Sequence, residues 1–200
     1  MLMLEIILYL TLTFVNGGVI FNDELWPKQW YLNPDLQGDH MDIVGAWEQG
    51  YTGKGVTVAV VDDGLEHSHP DLVNNYNSKA SIDIDTQEND PSPRSWNDWQ
   101  GTRGAGIIGA EGNNSIGIVG VASNVEIVGI RLATYTDKKE AEALSFKRDI
   151  IDIYSMAWGP TDDGEALSGP GELAHQSLEE GVNFGRDGKV SKNCLNLLMK

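Results

Sequence analysis

Two acidic turns stand directly after apolar runs. Asp62-Asp63-Gly64 follows Val56–Val61, and Trp158-Gly159-Pro160-Thr161-Asp162-Asp163 closes the run Ile150–Trp158. Carboxylates so placed can hold a basic side chain or a cation, because both gain strongly from anionic oxygens. A third segment, WNDWQGTRGAGIIGAEGNNS (Trp96–Ser115), contains Gly104-Ala105-Gly106-Ile107-Ile108-Gly109. Those glycines fit the GxGxxG pattern of a dinucleotide-binding turn. Such a turn needs a buried strand immediately before it, to aim a helix amino terminus at the pyrophosphate. The preceding Ser95-Trp96-Asn97-Asp98-Trp99-Gln100 is no strand. Glu126 stands about 20 residues on, where an acidic ribose ligand would be, but it falls inside an expected strand. No nucleotide cofactor is expected.

The elements that must position these turns are read from periodicity. VTVAVV (Val56–Val61) is an uninterrupted β-branched run, the mark of a strand buried on both faces. Val125–Leu132 and Ile150–Trp158 predict further strands. Asp42–Gln49 predicts a helix ending at Gly50. Asp137–Lys147 predicts another, with Ala and Leu on one face. Pro170–Phe184 predicts a third, opening on proline and stopping near Gly185. Asp83–Asp98, rich in Asp, Asn, Pro and Ser, reads as a connecting loop. Strands alternating with helices predict an α/β fold, a parallel sheet flanked by helices. Ligands of such sheets bind outside the carboxyl ends of the strands, where both acidic turns fall.

The 200 residues suffice for one domain with a core, and 40% of them are apolar. A formal charge of −16 repels phosphate, so nucleic acid and anionic membranes are excluded as partners. Basic peptides or bound cations suit it. Cys194 is the only cysteine, so no intramolecular disulfide forms. Residues 1–18 contain an apolar run, Ile6–Val15, followed by Asn16, Gly17 and Gly18. That run is too short to span a bilayer and reads as a secretory signal, although Glu5 precedes it. A wrongly assigned start is the alternative.

Several segments taken together resemble one family. PKQWYLN (Pro27–Asn33), AWEQGYTGKGV (Ala46–Val56), VDDGLEHSHPDL (Val61–Leu72), GTRGAG (Gly101–Gly106) and YSMAWGPTDDG (Tyr154–Gly164) are similar, in order and spacing, to subtilisin-like serine proteases. The similarity is greatest to the kexin/furin-type proprotein convertases, and it covers residues 22–191. It implies a subtilisin-like three-layer fold, incomplete on the carboxyl-terminal side, with 192–200 an unrelated tail. It also implies that Asp62 is the catalytic carboxylate. The histidine of the family's His-Gly-Thr-Arg motif aligns on Gln100, and glutamine has no titratable proton near neutral pH. The serine and oxyanion-hole asparagine belong to segments that in relatives follow GRDGKVS (Gly185–Ser191). His67 and His69 are expected to be ordinary loop residues.

The resemblance further implies that Asp162 faces the first basic side chain of a substrate, Asp63 the second and Glu140 a more distant one. The second acid of that distant subsite aligns on Ser168. The backbone of Ala157, Trp158 and Gly159 would pair with an extended peptide. Calcium is the implied cofactor, held by Asp23, Asp71 and Asn114 with main-chain oxygens near Glu111, Ile116 and Ile118. A second calcium site would share Asp162. Asn113-Asn114-Ser115 is a glycosylation sequon in the same loop, and the family's cysteines align on Gly104 and Gly117. Relatives are calcium-dependent serine endopeptidases that process proproteins after basic residues in the secretory pathway. Without base and serine, this chain is expected to be an inactive product of such a gene. The alternative is a secreted pseudoprotease that captures basic peptides or a partner convertase.

Overall fold

The computed structural model describes residues 21–36, 38–159, 169–185 and 192–195. Its centre is a five-stranded parallel sheet of order β2-β3-β1-β4-β5. β1 (Thr57–Asp62) lies in the middle and is buried along its whole length, as the unbroken β-branched run requires. β3 (Glu126–Arg131) flanks it on one side, with Asp62 opposite Arg131, and β4 (Ile153–Met156) flanks it on the other. β2 (Ile82–Asp83) extends the β3 side, and β5 (Lys192–Leu195) pairs with β4. Residues read from sequence as an unrelated tail therefore carry an edge strand, and the segment read as a loop from Asp83 begins inside a short one.

Alternation along β1 distributes the core to two faces. Val58 and Val60 pack with Leu65, Leu72, Ala105 and Ile127, under α2 (Gln100–Gly109). Ala59 and Val61 pack with Ile130, Leu144, Tyr154 and Ala174, under α3 (Asp137–Ser145) and α4 (Glu172–Phe184). The result is the expected three layers. A separate cluster of Trp26, Leu32, Trp47 and Val119 anchors α1 (Val44–Glu48) and the amino-terminal segment. Among the described residues no helix is long and apolar enough to cross a membrane.

The glycines of the GxGxxG match lie inside α2, not in a turn before it. Close packing explains the last of them, Gly109, while a Cβ at Gly104 would meet nothing and one at Gly106 only ordinary contact. A Cβ at Gly109 would stand 2.5 Å from Val125 Cγ1 and 3.0 Å from Ile127 Cδ1, so glycine lets the helix approach β3.

One helix start is set locally and another across space. α3 is capped by Thr136, whose hydroxyl accepts the Lys139 N–H. The N-cap of α4, Gly171, has no side chain to offer. Asp137 of α3 serves instead, its carboxylate accepting the N–H groups of Leu173 and Ala174 at 3.0 and 2.8 Å. One carboxylate thus fixes the start of α4 against the start of α3.

Candidate active site

The carboxyl end of β1 delivers Asp62 and Asp63 beside the amino terminus of α2. Asp62 is 4% exposed, and its Oδ1 accepts the Asp63 N–H at 2.8 Å. Burial pushes its carboxyl from the ordinary 3.8 up to about 6, opposed by that N–H and reinforced by the negative charge of Asp63. Arg131 is its partner in register across β1 and β3. The guanidinium nevertheless turns to Asp83, Asp85 and Asp98. Asp62 has no ion pair among the described residues.

Asp63 caps α2. Its Oδ2 accepts the Gln100 N–H at 3.1 Å and its Oδ1 the Gly101 N–H at 2.8 Å. Trp99, at the N-cap position, provides no side-chain bond. This contact explains why Gly101 is glycine: a Cβ there would overlap the Gly64 carbonyl oxygen and lie 2.9 Å from Asp62 Cβ. Gly101→Ala is therefore expected to destabilise the chain by about 1–3 kcal/mol, the cost of forcing a methyl into filled space. A urea midpoint unchanged from the parent would contradict this.

Gln100 occupies the place expected of a catalytic base. Its Nε2 donates to the Ala157 carbonyl oxygen at 2.9 Å, bridging α2 to the end of β4. The sequence contains four histidines, and none contacts Asp62. His67 stacks on Tyr76 and lies 3.4 Å from Asp90. His69 Nδ1 accepts the Asp71 N–H, His40 Nδ1 accepts that of Asp42, and His175 faces Glu179.

Trp158 ties β4 to β1 through its Nε1, which donates to Val61 O at 3.0 Å. Tyr135 lies against it with ring centroids 4.8 Å apart. Burial pushes the Tyr135 phenol up to about 12, and the charges of Asp62, Asp63, Glu140 and Asp85 all add to the rise. The charges of these four carboxylates therefore all bear on Tyr135. Glu140 is half-buried on α3, its carboxyl raised by burial and then by Asp137. Ala157 and Gly159 are exposed. Asp162 and Ser168 lie outside the described residues, as do the signal-like residues 1–18. Sequence reading missed Tyr135 and the Gln100–Ala157 bond, neither of which has a motif or periodic signal.

The residues proposed for calcium converge on one loop. Asp71 is 3% exposed, and its carboxylate accepts from Asn114 Nδ2 and the Ile118 N–H, both at 2.9 Å. Asp23 is 2% exposed and accepts from the Asn113 and Asn114 N–H groups at 2.8 and 3.4 Å. The Glu111 N–H donates to Asp71 O, and the Ile116 N–H to Asn114 Oδ1. Among the described residues neither carboxylate has an ion-pair partner, and no group of three or more His, Cys, Asp or Glu converges. Two buried carboxylates and an amide oxygen are hard oxygen donors of the kind that calcium takes, and the contacts they make in this structure are to N–H groups.

This fold and this strand-end carboxylate define a subtilisin-like protease domain. The subtilase family (peptidase S8) matches residues 53–192, and the chain belongs to it. Human neuroendocrine convertase 2 is 47% identical over 181 residues, covering 85% of this chain and 28% of that protein. Human proprotein convertase subtilisin/kexin type 6 is 46% identical over 180 residues, covering 86% of this chain and 19% of that protein. The chain thus spans under a third of these relatives' length. Among solved structures, the serine protease of Aeromonas sobria superposes with a TM-score of 0.72 at 26% identity, over 87% of this chain and 32% of that one.

Proposed function

We propose that this chain is a convertase-type subtilase domain that binds basic peptides at the carboxyl ends of β1 and β4 without cleaving them. The observation that carries this reading is Gln100. It stands at the start of α2 beside Asp62, is not titratable near neutral pH and so cannot take up a proton, and is hydrogen-bonded to Ala157. An attacking hydroxyl would find no base there. Recognition groups are better kept. The negative charges of Asp62, Asp63 and Glu140 all bear on Tyr135, which lies against Trp158, and acids beside an aromatic pair suit Arg or Lys side chains. Asp162 joins this set by resemblance. Ala157 and Gly159 are exposed, and an extended peptide pairing with them would compete with Gln100 for the Ala157 carbonyl oxygen. A partner convertase displaying a basic segment fits the same acids. The secretory route follows from likeness to the convertases.

Calcium belongs to this reading as the ion that neutralises Asp23 and Asp71, with Asn114 and the main chain of Glu111, Ile116 and Ile118 completing its shell. Bound there, it would supply structural charge compensation to the amino-terminal segment, remote from the peptide.

The test is calorimetry with an Arg-rich peptide, with and without calcium, beside a dibasic fluorogenic peptide. Saturable binding is expected, weakened by salt and by Glu140→Gln, with no fluorescence release. Absence of saturable binding at moderate salt would sink the binding reading. Turnover that survives Asp62→Ala would count as contamination, and turnover lost with it would overturn the claim of inactivity.

A further inference from the structure

Asn113-Asn114-Ser115 is the one Asn-X-Ser/Thr sequence in the chain, and the peptide-binding reading makes no use of it. We propose that Asn113 is an N-glycosylation site whose glycan the folded loop accepts without loss of a contact.

The two adjacent asparagines differ in what their amides do. Asn114 is half-buried and both amide atoms are engaged, Nδ2 with Asp71 and Oδ1 with the Ile116 N–H. Asn113 is exposed, in a left-handed turn at φ 64°. Its backbone N–H donates to Asp23 Oδ2 at 2.8 Å, and its Oδ1 accepts the Asn22 N–H at 3.3 Å. Its Nδ2 donates to no group among the described residues. Ser115 is also exposed, and its backbone N–H donates to Asn22 Oδ1.

Glycosylation acts only on the free atom. A bond forms between Asn113 Nδ2 and the anomeric carbon of a lipid-pyrophosphate-linked oligosaccharide. The bond from that carbon to the pyrophosphate oxygen breaks, the lipid pyrophosphate departs, and one Nδ2 proton is released. Oδ1 keeps its lone pairs, so the Asn22 contact persists. The Asp23 contact is made by the backbone and is untouched. The sugar leaves from an exposed turn, as a bulky solubilising group must.

The site rests on the secretory reading, so the test separates the two. The full chain is translated into microsomes, once with its own amino terminus and once behind the leader of an unrelated secreted protein. Only chains protected from added protease are scored. The expected result is a mass step of one glycan, removed by an amidase that leaves aspartate at 113. It should be absent in Asn113→Gln and in Ser115→Ala, which leaves Asn113 intact, and retained in Ser115→Thr. Protected chains behind the foreign leader that carry no glycan would overturn the site. Protection with that leader but not with the native terminus would count against the secretory reading alone.

Discussion

Asp62→Asn is expected to make the chain more stable at neutral pH, by about 3 kcal/mol. The parent carboxyl is held near 6 in the fold, against an ordinary value of 3.8, because β1 buries it at 4% exposure with no cation beside it. That difference corresponds to about 3 kcal/mol between the charged and neutral forms. The sign follows from proton counting. Between pH 4 and 6, roughly, the folded state keeps a proton that the unfolded chain has lost, so stability falls as pH rises through this window. Above it the whole penalty is present, and below about pH 4 both states are protonated and the penalty is gone. Asparagine carries no charge at any pH, and its Oδ1 can still accept the Asp63 N–H. Urea unfolding of parent and variant should therefore give curves that separate at pH 7 and converge near pH 4. An equal gap at both pH values would mean that the effect is packing and not charge. A subtilase carboxylate held this way is stability forgone for a role it would have beside an imidazole.

Arg131→Met should have the opposite and larger consequence, a loss of about 3–5 kcal/mol. Arg131 is 7% exposed, and Asp83 beneath it is fully buried. Its Nη1 serves Asp83 at 3.2 Å and Asp85 at 3.5 Å, while its Nη2 serves Asp98 at 3.4 Å. Removal leaves a buried carboxylate without its principal cation. Arg94 at 3.4 Å from Asp83 and Lys139 at 2.6 Å from Asp85 compensate only in part, because Arg94 is itself well exposed. Arg131→Lys should fall between, since an ammonium keeps the charge but cannot fork between three carboxylates. The urea midpoints of the three proteins should rank Arg, Lys, Met. A Met variant within about 0.5 kcal/mol of the parent, the spread of ordinary surface substitutions, would show that the network stabilises nothing.

Much of this architecture was legible in the sequence. The run Val56–Val61 marks β1 to within a residue, because a strand buried on both faces needs apolar groups at every position. Asp137 marks the start of α3, read from the Ala and Leu along one face of Asp137–Lys147, although the helix stops at Ser145. β2 was hidden because two residues cannot display a period. β5 was hidden because Lys-Asn-Cys-Leu has neither alternation nor a turn signal. At the site, Asp62 and Gln100 were legible from motif order. The cap formed by Asp63 was not, for it reaches a helix that starts 37 residues away, and sequence spacing carries no record of such contacts. The Asp137 cap on α4 is hidden for the same reason. GxGxxG misleads in part for a physical cause: at Gly109 close helix–sheet packing demands a missing Cβ, as close approach to phosphate would, whereas Gly104 and Gly106 have room for one.

The cap formed by Asp63 bears on selectivity among the acidic groups. The aligned peptide dipoles of α2 place about half a positive charge at its amino terminus. Asp63 already faces that charge and is partly neutralised by it. An incoming guanidinium meets a carboxylate backed by a repelling dipole there; Glu140, in the first turn of α3, also stands at a positive helix end, with the negative Asp137 beside it. The two acids differ in how far they are already engaged: both oxygens of Asp63 accept from the start of α2, whereas the Glu140 carboxylate accepts no hydrogen bond among the described residues. On the peptide-binding reading proposed above, Glu140 is therefore the freer of the two to take up a basic side chain.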